Sequence, residues 1–421
     1  MRAFRTSAVL TAVLCLVACG GGGGGGGDSG PTFISWTTFQ DADLILGQVN
    51  ATSNDANQGG STDANTLASP GAPCVVGARL FVPDLENNRV LGFNAIPATD
   101  GAAADFVLGQ VDLMSGSADQ GGSVGPTTLH VPWAVCEADG KLFVSDTFNN
   151  RVLVFNAVPT TSGVAANVAL GQADLMSEGP GSGASGMTAP RGIHAVGTRL
   201  LVCDLFNNRV LIWNTIPTTS GAAPDLVLGQ ANLTNNAPND VDGDGMGDGA
   251  PSASTLFAPF GVWSDGTRVA VADGQNNRVL IWNTFPTTNG QAADLVLGQA
   301  AFNTNAPATS QTGMRVPTDV TSDGTKLIVG DCENNRILIY DAFPVATNTA
   351  PTTVIGQGIF TLGTGNDDNQ DGMTDGVGFG SCTARTMNTT GGFAFVKLFG
   401  TRLWSGDFRN HRAVAYDASA P

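Results

Sequence analysis

Charge is scarce along this chain: Asp, Glu, Lys and Arg make up 13% of its 421 residues, about half the usual share. Basic residues are scarcest, 19 against 36 acidic, for a formal net charge of −17. Nucleic-acid binding draws its affinity from neutralised phosphates, so this balance argues against it. Histidine occurs three times, as His130, His194 and His411, so a three-histidine metal site would need all of them. No CxxC pair exists, which removes the usual cysteine zinc site. HExxH and phosphate-binding loops are missing too. Beyond the N-terminus no apolar run approaches the length of a membrane span. What is abundant is glycine, 56 residues, and long stretches of good helix formers are lacking. That is the composition of a many-turned β protein.

The first twenty residues read "MRAFRTSAVLTAVLCLVACG". Two arginines, a short apolar core and a small residue before the cut make a secretory signal. Because Cys19 stands at the cleavage point, the segment resembles a bacterial lipoprotein signal. That resemblance implies removal of residues 1–18, lipidation of Cys19 and, with Gly20 following, outer-membrane sorting, the chain facing either periplasm or medium. Residues 19–38, with unbroken glycine from Gly20 to Gly27, read as a flexible tether. Loss of Arg2 and Arg5 leaves 17 basic against 36 acidic side chains, a net charge near −19. Five cysteines remain after Cys15 and Cys19, an odd number in an oxidising compartment, so at least one is expected to be free and buried. Cys332 and Cys382 share a face and are the pair to consider for a bridge.

Residues 39–421 are repetitive. "SDTFNNRVLVFN" (145–156) recurs with small changes, placing paired residues at Asp84 and Arg89, Asp146 and Arg151, Asp204 and Arg209, Asp273 and Arg278, Asp331 and Arg336, and Asp407 and Arg412. A second motif, LGQ or IGQ, ends 21 residues after the arginine in the five copies that have both. Within one copy the runs 133–138, 141–146, 151–156 and 167–172 are short, apolar or alternating, and bounded by turn residues, which predicts four strands. A unit of this kind repeated six times predicts an all-β, six-bladed β-propeller of four-stranded antiparallel blades. The last copy has no LGQ strand, whereas a lone "DADLILGQ" (41–48) precedes the first. The ring is therefore expected to close by that N-terminal strand joining the last blade.

A proline, a short strand and then "DGKLFVSDTFNNRVLVFN" (139–156) resemble the NHL repeat, in its LGQ-bearing bacterial secreted form. This resemblance implies the fold and leaves the function open, since propellers host many activities. The six recurring Asp–Arg pairs read as scaffold: an Asp before a tight turn satisfies backbone N–H groups. The aromatics four residues after each Arg (Phe93, Phe155, Trp213, Trp282, Tyr340 and Tyr416) read as packing between blades.

Variation is confined. The distance from the repeat proline (Pro70, Pro132, Pro190, Pro259, Pro317) to the turn Asp is always 14 residues, whereas Gln to turn Asp runs 36, 36, 32, 43, 32 and 50. Strand parity puts the variable insertions and the Asp-to-Arg turns on one face, where binding is usually placed. The two longest insertions carry "DVDGDGMGDG" (240–249) and "DDNQDGMTDG" (367–376). They resemble the calcium loops of EF-hands and thrombospondin type 3 repeats. That implies ligands from Asp240, Asp242, Asp244, the Met246 carbonyl and Asp248, and from Asp367, Asn369, Asp371, the Met373 carbonyl and Asp375. Pro251 and Gly378 stand where an EF-hand has its bidentate Glu, so the remaining ligands must be water or other loop groups.

Along the predicted channel the strongly polar residues are Arg191, His194, Asp319 and Lys397. The expectation is a non-catalytic, lipid-anchored binding or scaffold module that offers its loop-rich face to a protein or glycan partner, with structural calcium. The alternative is a hydrolase or lyase using those four residues at the channel mouth, which requires one deep polar pocket to gather them.

Overall fold

Alternating or fully apolar runs of three to seven residues, each stopped by a Gly, Asn, Asp or Pro turn, suit short strands buried on both faces. In the computed structural model, which describes residues 35–374, 382–389 and 392–419, these runs form six sheets of four antiparallel strands. Blade one comprises Cys74–Val76, Arg79–Asp84, Arg89–Phe93 and Phe106–Leu108. Blade two comprises Pro132–Ala138, Lys141–Asp146, Arg151–Phe155 and Val168–Leu170, and blade three Pro190–Val196, Arg199–Asp204, Arg209–Trp213 and Leu226–Leu228. Blades four and five continue from Pro259–Ser264 to Leu295–Leu297 and from Pro317–Ser322 to Thr353–Ile355. Blade six comprises Ala394–Phe399, Arg402–Asp407 and Arg412–Asp417, and its outer strand is Leu44–Leu46. The register Leu44 to Ala415 and Leu46 to Ala413 closes the ring, as the repeat count requires. The helical pieces among the described residues are short 3-10 turns, and none is long and apolar enough to cross a membrane.

The recurring motif is a clamp. In blade two Asp146 Oδ1 accepts from the His130 backbone N–H, and its Oδ2 accepts from Asn149 Nδ2 and from Arg151 Nε at 2.7 Å. Arg151 then donates to the carbonyls of Leu175 on the following insertion and of Gly125 and Thr128 on the preceding one. Asp and Arg are fully buried in every blade. A buried ion pair is tolerable only when its remaining donors and acceptors are satisfied, and here the insertion carbonyls do that. The second Asn of the pair takes the left-handed backbone that Asn tolerates and reaches across to the next blade. Asn150 Oδ1 accepts from Ala189 N–H, and Asn208 Oδ1 from Ala258 N–H. In the sixth copy His411 replaces this Asn, and its Nδ1 accepts from Ser69 N–H at 2.9 Å. That bond fixes an Nδ1-unprotonated ring at the seam where blade six meets blade one.

The aromatics after each Arg are buried, each within a hydrophobic cluster shared by neighbouring blades: Trp282 packs with Leu201 and Ile212 of blade three, and Tyr416 with Ile328 and Ile339 of blade five. The five described cysteines are buried free thiols. Cys332 and Cys382 do not form the bridge considered from the sequence. Cys332 Sγ points at the Thr389 and Gly392 carbonyls, and Cys382 Sγ at those of Ala51 and Ser53, so sharing a face did not bring them together.

Candidate functional site at the channel and its loop-rich face

The innermost strands all start at the insertion face and run toward the opposite one, so position along a strand is depth in the channel. The residue after each repeat proline lies at the insertion end, and there the blades differ: Gly71, Trp133, Arg191, Phe260 and Thr318. Trp133, Phe260, Phe395 and Phe408 belong to one buried cluster, with Phe393 packed against it. The ring centroids of Trp133 and Phe393 are 4.2 Å apart, those of Trp133 and Phe395 5.1 Å, and those of Phe393 and Phe408 5.2 Å. Aromatics of blades two, four and six thus meet across the axis and plug it. Gly71 is small for a reason, since a Cβ there would stand 2.5 Å from the Trp133 carbonyl oxygen.

Arg191 lies in this plug. Its guanidinium carbon is 3.8 Å from the Trp133 ring centroid, 4.7 Å from that of Phe393 and 4.9 Å from that of Phe260. Nε and Nη1 are fully buried, and neither has a hydrogen-bond acceptor among the described residues. Burial alone pushes its pKa down to about 9. In front of it is a pocket of about 370 Å³ lined by Phe206, Phe257, Phe260, Phe393 and Gln275, among others, and holding no carboxylate. The pocket opens on the insertion face, because Phe206 and Gln275 come from Asp-to-Arg turns; Phe206 is 62% exposed and Phe257 36%.

His194, Asp319 and Lys397 lie deeper and belong to the other mouth. His194 and Lys397 line a second cavity of about 160 Å³ with Glu137, Cys74 and Cys136, near the turns opposite the insertions. Lys397 Nζ is 3.4 Å from Asp319 Oδ1, and Asp319 also accepts from the Val320 and Val396 N–H groups. Burial raises the Asp319 pKa while Lys397 opposes it. His194 Nε2 lies 2.8 Å from the Ser264 carbonyl oxygen, and burial, then Lys397, pushes its pKa down to about 4. An imidazole so placed donates to that carbonyl and stays neutral. The four polar channel residues are therefore split by the aromatic plug: Arg191 on the loop-rich side, the other three beyond it. A single deep pocket gathering all four is not formed by the described residues.

The two acidic insertions share one local geometry. Asp240 Oδ1 accepts from Gly243 N–H and its Oδ2 from Gly245 N–H, while Asp242 and Asp244 cap Asp244 and Met246 N–H. Asp248 Oδ2 accepts from Val241 N–H. Carboxylate oxygens of Asp240, Asp242 and Asp244 lie within 4.8 Å of one another. In the second insertion Asp367 accepts from Asp371 and Gly372 N–H, Asn369 from Asp371 N–H and Asp371 from Met373 N–H. Asp375 lies outside the described residues, as does Cys19.

What the sequence reading missed is the aromatic cage. Its signal was present at the insertion end of the inner strand, a position where the side chain changes from blade to blade, with the third turn residue (Glu86, Phe148, Phe206, Gln275, Glu333, Arg409) changing in the same way beside it.

No family model matches the chain, and no curated protein matches it. Among solved structures, the PQQ-bound aldose sugar dehydrogenase of Streptomyces coelicolor aligns at 14% identity and TM-score 0.44, over 86% of this chain and 97% of that one. The computationally designed Ika8 protein aligns at 8% and 0.38 over 90% and 100%, and a nidogen/laminin complex at 12% and 0.35 over 67% and 82%. At these values the alignments carry no argument about this chain.

Proposed function

We propose that this propeller is a non-catalytic binding or scaffold module of the NHL type, presenting its loop-rich face to a protein or glycan partner. Lipidation at Cys19 and the glycine tether would hold it to the envelope, at the outer membrane. One observation carries the reading: six equivalent Asp–Arg clamps pin insertions of unequal length onto one face, where the exposed turn residues also change from blade to blade. The opposite mouth offers a small cavity in which Lys397 is already paired and His194 is already bonded.

Calcium at the two acidic insertions belongs to the same proposal, as stiffening of that face. The donor set fits a hard cation, with several carboxylate oxygens on a short Gly-turned loop and room for water. Asp240, Asp242, Asp244 and Asp248, and Asp367, Asn369 and Asp371, would hold the ions. With a weak extracellular-type Kd of about 10⁻⁴ to 10⁻³ M, about 10 mM calcium stabilises by about 1.4–2.7 kcal/mol per site. A melting temperature that is the same in calcium and in EGTA would sink the calcium part.

The binding part is tested by crosslinking pull-down from the native envelope with the anchored chain. Recovery of a defined partner, lost when residues 234–251 are replaced by a short Gly-Ser loop, is the expected result. Recovery unaffected by any change on the insertion face would place the interaction elsewhere and overturn the reading.

A further inference from the structure

Arg191 is an unusual residue for an apolar plug. Every other inward arginine of the repeat is bonded to an Asp and to backbone carbonyls, whereas Arg191 has two buried guanidinium nitrogens with no acceptor among the described residues. Its aromatic neighbours stabilise the cation through their faces but accept no N–H, so the donors stay unsatisfied, a costly state for a buried polar group. Neutral apolar side chains occupy the equivalent places in blades two and four, so the plug does not need an arginine for packing. The pocket in front is large enough for a compact organic ligand and is walled on its open side by Phe206 and Phe257.

We infer that this pocket is a binding site for a carboxylate carried on an apolar body, with Arg191 as the counter-ion and Phe206, Phe257, Phe260 and Phe393 packing the body. A guanidinium forms a charge-assisted N–H···O bond to a carboxylate, offered here by Nη2, since Nε and Nη1 are enclosed. A sulfate or phosphate would satisfy the charge but would leave the phenyl walls in contact with water. Gln275 at the rim offers an amide for a second polar group of the ligand. Selectivity follows from the mismatch between a single cation and apolar walls: an apolar amide lacks the charge, and acetate lacks the body.

The inference rests on the proposal that the loop-rich face is the binding face and names what that face would take. The carboxylate has two sources, a free organic acid or the C-terminus of a partner chain. The test uses the mature chain and two probe pairs, 3-phenylpropionate with its amide, and a short peptide ending in Phe with a free or amidated terminus. Binding is followed by calorimetry and by emission of Trp133, which touches the guanidinium. The acids should bind, and the amides should bind between about tenfold and a hundredfold more weakly, the range expected for losing a charge-assisted pair. Arg191→Met should erase the acid preference, and the rim variant Phe206→Ala, on an exposed turn, should weaken all probes while keeping that preference. Stronger binding of the peptide than of the free acid identifies a protein terminus as the source, and the reverse a metabolite. Equal binding of acid and amide, no binding up to millimolar concentration, or an acid preference unchanged in Arg191→Met would each overturn the inference. If envelope pull-downs still yield a partner that depends on the insertions while these probes fail, the face stands and only the pocket falls.

Discussion

Two arginines of this chain should respond in opposite ways to the same substitution. Arg151→Met removes the cation of the blade-two clamp. It leaves the Asp146 carboxylate buried and orphans the carbonyls of Leu175, Gly125 and Thr128. Breaking a buried pair from one side costs about 3–5 kcal/mol, because the remaining charge is uncompensated. Unfolding entropy of about 2.1 cal/mol/K per residue gives a chain of this size a melting shift of about 1.3 °C per kcal/mol. A fall of about 4–6 °C is expected. Arg191→Met takes away a cation–π contact worth about 1–2 kcal/mol and removes a buried guanidinium with no acceptor among the described residues, whose desolvation costs several kcal/mol. Methionine fills the aromatic cage with similar volume, so the melting temperature should hold or rise by about 1–3 °C. Differential scanning calorimetry on the mature chain reads both. Equal losses in the two variants would refute the distinction between a structural clamp and an arginine kept for a ligand. No loss in Arg151→Met would refute the clamp itself.

His194 is neutral in the fold, with its pKa pushed down to about 4. The unfolded chain therefore takes up its proton first as pH falls from about 6.5, and stability present above that pH is lost progressively toward pH 4. The loss is on the order of 3 kcal/mol; urea titrations at pH 7 and pH 4 should show it, and His194→Gln should flatten it. In blade one a Cβ on Gly92 would stand 2.2 Å from the Phe106 ring, whereas the equivalent pair in blade two is Val154 and Val168. Gly92→Val alone should cost about 1–3 kcal/mol by overpacking, and adding Phe106→Val should recover most of it; additive losses in that double-mutant cycle would show that the two positions are not coupled.

The blades, the strand order and the N-terminal strand in blade six were legible because one unit is written six times, so spacing alone fixes them. The clamp residues were legible as scaffold for the same reason. The partners of the arginine were not, since carbonyls carry no side-chain signature. The channel defeated the sequence for a geometric reason. Parity places residues on a face and at a depth, but how blades rotate about the axis decides who meets whom. Arg191 and His194 are three residues apart, yet the register shift between Pro190 and Ile193 and the plug put them at different mouths. His411 shows the same limit: it departs from the Asn of the other five copies and is the acceptor that joins the last blade to the first.

The clamps also determine what the insertions are free to become. In blades one to five each arginine holds a carbonyl 24 residues ahead of it and carbonyls 23 and 26 residues behind it. The roots of an insertion are therefore stapled at fixed offsets; in the fourth repeat Asn208, Gln230 and Asn276 also hold Asn236, Ala237 and Asn239, and the run from Val241 to Ala250 beyond them can vary without the blades registering it. Since lengthening a loop adds only a logarithmic entropy cost, the same ring can accept foreign segments there. It is a ready frame for grafted recognition loops, and natural relatives could change partners without refolding.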